Sequence, residues 1–372
     1  MIWNYKQPVQ IQFGAGLASS LGKILTDLGY NNGLLVCDSI FIDNGYADNL
    51  LAASDGKLTG TFCDIVPNPT VETVDDCAEM LRQSSYDFVL ALGGGSAIDC
   101  AKAACSVSFG SVSAREYLHG RLTLGSEHLP LIVMPTTAGT GSEVTPVSVL
   151  CDNTAMLKAP IVSDNFYPAL TIIDPALTLS VPPNITANTG MDVLAHALEG
   201  YWSINHQPIC DALAIHAAGL VFEYLVPTFM DGTNLELRSK MCEASIIAGL
   251  AFGQPKTTGP HACSFPLTSI YNMPHGEACA FTLDSFVRIN ANDDGGRVHT
   301  LAKRLGFKDA YAMADRIFEM KQKMGMIHSL SQAGIAEADL CALAEKSMHP
   351  NMLNNPVKMT PESILELYRN IG

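Results

Sequence analysis

Short apolar runs and amphipathic stretches alternate through the first half of this chain. The segment VQIQFG predicts a strand, LASSLGKILTDLG an amphipathic helix, and GLLVCDS a buried strand. YADNLLAAS, GTFCDIV, VETVDDCAEMLRQSS, FVLALGGGS, AIDCAKAACSVS and LPLIVMPTT continue the alternation. Short apolar strands separated by helical stretches predict a parallel sheet covered on both faces. The right-handed crossover preference makes this an open, doubly wound, Rossmann-like α/β domain. After ALTIIDPALTLSVPP the texture changes. TANTGMDVLAHALEGYWS, ICDALAIHAAGLVFEYLVPTFM, LELRSKMCEASIIAGLAF and AYAMADRIFEMKQKMG are helical patterns, and Pro182 and Pro183 suit the start of the first. The pattern places an α/β domain over residues 1–180 and an all-α domain over 181–372. A ligand site is expected between them, beyond the carboxyl ends of the strands.

Composition narrows the class of protein. A chain of 372 residues, 48% hydrophobic and only 16% charged, has material for two sizeable cores. The formal charge of −15 argues against nucleic-acid or anionic-membrane partners. Eleven cysteines without a CxxC pair read as reduced thiols. MIWNYKQPVQ has no basic stretch leading into an apolar one, and no apolar run approaches bilayer-spanning length. A cytoplasmic enzyme, a small-molecule substrate and a homodimer are the expectations.

The chemistry is carried first by a candidate metal set. Asp192 and His196 lie four residues apart in a helical pattern, so both leave one helix face. His261 in TGPHACSF and His275 in YNMPHGEACA follow across a stretch broken by Pro266 and Pro274. One carboxylate and three imidazoles suit Fe(II) or Zn(II) and can polarise a substrate oxygen. A second signal is FVLALGGGSAIDCAK, where a buried strand runs through three glycines into a helix. Backbone amides of Gly94, Gly95 and Ser96 at such a helix start can hold a pyrophosphate; a tight turn capped by Ser96 is the competing reading. Thr136, Thr137, Thr140 and Ser142 in MPTTAGTGSEVTPVSV supply hydroxyls for phosphate, ribose or carboxamide, or form a polar turn. Asp38, ending GLLVC, either accepts from an adenosine ribose or serves as a turn aspartate.

Together these segments resemble the iron-containing (group III) alcohol dehydrogenases over nearly the whole chain. The resemblance rests on VPNPT (66–70), GGGSAID (93–99), PTTAGTGSEVT (135–145), Lys158, IIDPAL (172–177), GMDVLAHALE (190–199) and MPHGEA (273–278). It implies metal ligation by Asp192, His196, His261 and His275. It implies dinucleotide contacts from Asp38, Asn68, Gly94, Gly95, Ser96, Thr136, Thr137, Thr140, Lys158 and Leu177. The implied reaction is metal-assisted hydride transfer between a nicotinamide and a small alcohol or aldehyde, with no catalytic group beyond the metal site. NAD(H) is expected over NADP(H), since Asp38 would repel a 2′-phosphate. Many members read H-x-x-x-H at the third ligand, whereas HACSF places Phe265 at the second histidine's position. Some relatives that act on phosphonate-bearing aldehydes also have an aromatic residue there, which points to that branch. The alternatives are a dehydroquinate synthase- or glycerol dehydrogenase-like enzyme, also dependent on metal and NAD, or a sensor that has lost catalysis.

Overall fold

Residues 2–293 and 295–371 are described by the computed structural model of this chain. In its first part, β1 (Gln10–Phe13), α1 (Leu21–Leu28), β2 (Gly33–Cys37), α2 (Ile40–Asp43), α3 (Tyr46–Ala53) and β3 (Leu58–Phe62) lead off. They are followed by α4 (Val71–Arg82), β4 (Phe88–Gly93), α5 (Gly95–Val107), α6 (Ala114–Leu118) and β5 (Leu131–Pro135). A hairpin, β6 (Val147–Asp152) and β7 (Leu157–Val162), precedes β8 (Leu170–Ile173). Six strands pair in parallel in the order β1–β8–β5–β4–β2–β3. Every residue of β2, β4 and β5 is buried, and successive residues feed opposite layers. Leu34, Val36, Val89, Ala91 and Val133 face the layer containing α4 and α5. Leu35, Cys37, Leu90, Leu92 and Met134 face the layer containing α1 and α3. The expected doubly wound α/β fold is the one that forms.

The antiparallel β6–β7 hairpin was not expected from the pattern. The inward residues of β6 are Ser148, Leu150 and Asp152, all buried, so two of three core-facing positions are polar and hide the alternation. Both are satisfied: Ser148 Oγ donates to the Asp99 carbonyl, and Asp152 accepts from Arg115, His119 and Thr154.

The remainder is helical: α7 (Pro183–Trp202), α8 (Pro208–Met230), α9 (Leu235–Phe252), α10 (Gly259–Tyr271) and α11 (His275–Asn290). Then come α12 (Arg297–Arg304), α13 (Ala310–Lys323), α14 (Leu340–Lys346) and α15 (Pro361–Ile371). Pro183 opens α7, where its missing N–H costs nothing. From Gly190 to Trp202 every residue of α7 is buried, because α8, α9 and α11 pack around it. The expectation that no apolar run reaches bilayer-spanning length is corrected by α8. Its 23 residues are long and apolar enough by length and composition. Asp211, His216 and Glu223 interrupt the run in sequence and disguise it. In the fold Ala214, Ala217, Ala218, Val221 and Leu225 are part of the helical core.

The chain forms two compact units. Lys6–Thr137 with Gly141–Thr178 make the strand-rich one. The helical one runs from Leu179 onward and takes in Ala138–Thr140 and the first residues through Tyr5.

Candidate active site

Three helices of the second unit bring side chains to one buried cluster. On α7, Asp192, His196 and Glu199 fall on one stripe and are 3%, 5% and 0% exposed. On α10 the contributor is His261, and α11 carries the i, i+4 pair His275 and Cys279. Close approach of α11 to α7 requires Gly276, where a Cβ would meet the Asn188 carbonyl oxygen at 2.1 Å and Asp192 Cβ at 3.2 Å. The glycine of the PHG segment therefore serves packing.

The four expected ligands are brought close to one another. His261 Nε2 lies 3.1 Å from His196 Nε2 and 3.4 Å from Asp192 Oδ1, which is 3.9 Å from His196 Nε2. The His261 and His275 ring centres are 5.4 Å apart. His196 is held by stacking on Phe252, with ring centres 4.0 Å apart and planes 9° from parallel. A donor set of this kind fits a divalent cation. Asp192 Oδ1 is buried without a hydrogen-bond partner, a desolvated lone pair that a bound cation would satisfy. Burial pushes His196 down to about 4, keeping its ring neutral as a metal ligand must be. Burial also disfavours charge on Asp192, but His196, His261 and His275 outweigh it and hold the carboxyl below its usual range.

Glu199 was missed as a functional residue, although it stands three positions after His196 in the quoted HALE segment. Its Oε1 lies 2.5 Å from His261 Nδ1, and its Oε2 accepts from Thr258 N at 2.5 Å and Thr258 Oγ1 at 3.0 Å. Trp202 Nε1 donates to Thr258 Oγ1 at 2.8 Å and fixes that hydroxyl. A carboxylate on Nδ1 sets the tautomer that leaves the His261 Nε2 lone pair for a cation. Cys279 was also missed, and the same four-residue spacing that singled out Asp192 and His196 would have found it beside His275. Phe265 stands where the family's second histidine was expected, but an imidazole is nearby. His349 packs on the Phe265 ring with centres 4.2 Å apart. Its Nδ1 accepts from the Asn351 amide, leaving Nε2 as the protonated nitrogen of the neutral ring.

The glycine-rich segment lies at the end of β4 in the strand-rich unit. Gly93 has φ 156°, and a Cβ there would lie 2.7 Å from both Asp38 Oδ2 and Ala97 Cβ. Asp38 is therefore packed directly against the turn, and burial raises its pKa. Gly94 is the N-cap of α5 and offers no side chain, so the first-turn amides of Gly95 and Ser96 keep outward donors for an anion. Ser96 does not cap the helix; its Oγ accepts from Asn68 N at 3.2 Å. Asn68, itself at φ 57°, accepts from Lys158 Nζ at 2.8 Å. Thr136 N donates to the Gly93 carbonyl, and Thr137 Oγ1 would lie 3.3 Å from a Cβ on Gly94. These contacts bring together Asp38, Asn68, Gly94, Gly95, Ser96, Thr136, Thr137 and Lys158. Three other residues fall outside the group. Thr140 belongs with the helical unit, and Leu177 packs in the apolar layer with Leu92 and Ile172. The Ser142 hydroxyl is engaged by Asp99 and Lys102.

Comparison with known proteins matches both parts of the chain to one family. Residues 8–175 match the iron-containing alcohol dehydrogenase family, and residues 186–372 match the C-terminal part of the Fe-containing alcohol dehydrogenase family. The chain is 31% identical over 369 residues to long-chain-alcohol dehydrogenase 1 of Geobacillus thermodenitrificans, covering 95% of this chain and 93% of that protein. It is 33% identical to 1,3-propanediol dehydrogenase of Citrobacter freundii, covering 99% and 98%. It also superposes on a crystal structure of sulfoacetaldehyde reductase from Bifidobacterium kashiwanohense in complex with NAD+. The TM-score is 0.97 at 50% identity, over 100% of this chain and 99% of that one. Matched along both halves and in the same order, the chain belongs to the iron-containing alcohol dehydrogenases and is an oxidoreductase of alcohols and aldehydes.

Proposed function

We propose that the protein reduces a small aldehyde bearing an anionic substituent, a sulfonate or phosphonate, to the alcohol with NADH and one divalent metal, Fe(II) or Zn(II). The observation that carries the metal-dependent part is the buried convergence of Asp192, His196, His261 and His275, with Asp192 Oδ1 lacking a hydrogen-bond partner. The anionic substituent is supported by the 50% identity to a sulfoacetaldehyde reductase. When bound, the cation supplies Lewis acidity toward the substrate oxygen and the nicotinamide supplies the hydride. Asp192 and the three histidines hold the cation, and Glu199 keeps His261 in the ligating tautomer. The amides of Gly94, Gly95 and Ser96 take the pyrophosphate, with Asn68, Thr136, Thr137 and Lys158 around the dinucleotide. Asp38 accepts from ribose hydroxyls and repels a 2′-phosphate, which selects NAD(H). Phe265 makes one wall apolar and narrow, favouring a short chain, and His349 beside it offers an N–H donor.

The test is NADH consumption with sulfoacetaldehyde, phosphonoacetaldehyde and acetaldehyde, on protein whose metal content has been measured. An anionic aldehyde is expected to exceed acetaldehyde in kcat/KM by about tenfold or more, the worth of one hydrogen bond to a charged group (about 1.5–3 kcal/mol). Equal or poorer use of both anionic aldehydes overturns the substrate class. Asp38→Gly is expected to improve NADPH use relative to NADH; a wild type preferring NADPH overturns the placement of the ribose.

A further inference from the structure

Cys279 follows His275 by four residues on α11, so thiol and imidazole leave one helix face. Its Sγ lies 3.9 Å from His275 Nε2, and the residue is fully buried. One ligand atom each from Asp192, His261, His275 and Cys279 fall within 4.8 Å of one another. Metal–donor distances of about 2.0–2.3 Å imply ligand separations of roughly 3.3–3.8 Å in a tetrahedral site. The thiol-containing group is thus only slightly wider than a closed coordination shell. Asp192 belongs to the same group, and its Oδ1, buried and without a hydrogen-bond partner, independently points to a cation there. The thiol forms no disulfide.

We propose that Cys279 is a further donor to the metal held by Asp192, His196, His261 and His275, an inference that rests on the metal reading above. A thiolate makes the donor set softer than one carboxylate and three imidazoles, and biases it toward Zn(II) or Co(II) over harder ions such as Mn(II). Binding deprotonates the thiol, so loading releases a proton from Sγ to solvent.

Cobalt substitution tests this without relying on turnover. Protein purified anaerobically is stripped, loaded with Co(II), and its metal content and absorption spectrum are measured. Wild type is expected to show a near-ultraviolet thiolate-to-cobalt charge-transfer band that Cys279→Ala and Cys279→Ser lack at equal cobalt content. Cys279→Ala is also expected to weaken Zn(II) binding relative to Mn(II). A fully loaded wild type without the band overturns the role of Cys279 while leaving the other four ligands standing. Persistence of the band in a loaded Cys279→Ala protein overturns it as well. Wild type that takes up no cobalt removes the metal reading and this inference together. Because the wild-type spectrum decides on its own, a poorly folding variant does not shield the proposal.

Discussion

At the end of β4 the groups offered to a ligand are mostly main chain, since Gly94, Gly95 and Ser96 present amides at the start of α5. On α7, α10 and α11 the offering is side chains, among them His261, which is tied into the network His261–Glu199–Thr258–Trp202. The first arrangement depends on the absence of Cβ atoms, whereas the second depends on the protonation and orientation of named imidazoles. Substitutions should therefore act differently in the two units. In the strand-rich unit a methyl group is the damaging change. In the helical unit it is the loss of a charge or of a hydrogen-bond partner.

The largest effect separates the two histidines within the helical cluster. His261→Ala strips the metal site and also leaves the Glu199 carboxylate buried without its imidazole. The expected cost is about 3–5 kcal/mol of stability on top of lost metal binding. Among the described residues the hydrogen bonds of His275 are long, to Ser264 at 3.5 Å and Cys279 at 3.9 Å. His275→Ala should lose metal with only about 1 kcal/mol of destabilisation. Metal analysis and urea unfolding of both variants check this, and equal unfolding midpoints would show that the Glu199 contact does not matter.

Next in size is Glu199→Gln, an isosteric change that removes the carboxylate from His261 Nδ1. Metal affinity is expected to fall about 10–100-fold, the usual scale for an outer hydrogen-bond partner, with NADH binding unchanged. Competition with a chelator reads the first quantity, and nicotinamide fluorescence the second. Undiminished affinity would mean His261 holds its tautomer unaided.

Gly93→Ala transfers the contest to the strand-rich unit. The added methyl meets Asp38 and Ala97 at 2.7 Å, and the backbone conformation strains it further. A cost of about 1–3 kcal/mol and weaker NADH binding are expected, while metal content stays at the wild-type level. A variant that loses metal but keeps NADH affinity would reverse the division of labour between the units.

The smallest effect concerns a buried network beneath the hydroxyl-rich segment. Lys102 Nζ donates to the carbonyls of Ser142, Thr145 and Val147, and burial lowers its pKa to about 8. Burial raises neighbouring Glu143 to about 7. A carboxyl with a raised pKa in the fold binds more protons folded than unfolded above its ordinary value of 4.5. Its contribution is therefore fully present below pH 4.5 and lost as pH rises through about 7. Glu143→Gln should flatten that decline in urea midpoints; an unchanged slope would show that Glu143 does not titrate there.

How far the sequence reached depends on whether a signal was local. Strand and helix order in the first half followed from period, because each apolar strand exposes its pattern to inspection. The β6–β7 hairpin did not, since Ser148 and Asp152 occupy core positions whose partners lie far along the chain. Asp192 and His196 were legible from one helical turn, and His261 and His275 from residue type and the resemblance. Glu199 and Cys279 stand just as near in sequence: the four-residue spacing of Cys279 from His275 was a usable signal, whereas Glu199, three positions after His196, carries no mark of the imidazole it faces.

The sequence by itself determined the fold class, the family and the residue types able to hold a metal and a dinucleotide. These properties are written in periodicity and in short ordered motifs that need no partner to be recognised. Only the tertiary structure decided which carboxylate orients His261 and which imidazole stands beside Phe265. His349 and Phe265 lie 84 positions apart, and Thr258 and Glu199 lie 59 apart. Contacts of that separation arise when helices pack and exclude water, so the positions of the partners follow from packing and no local pattern encodes them.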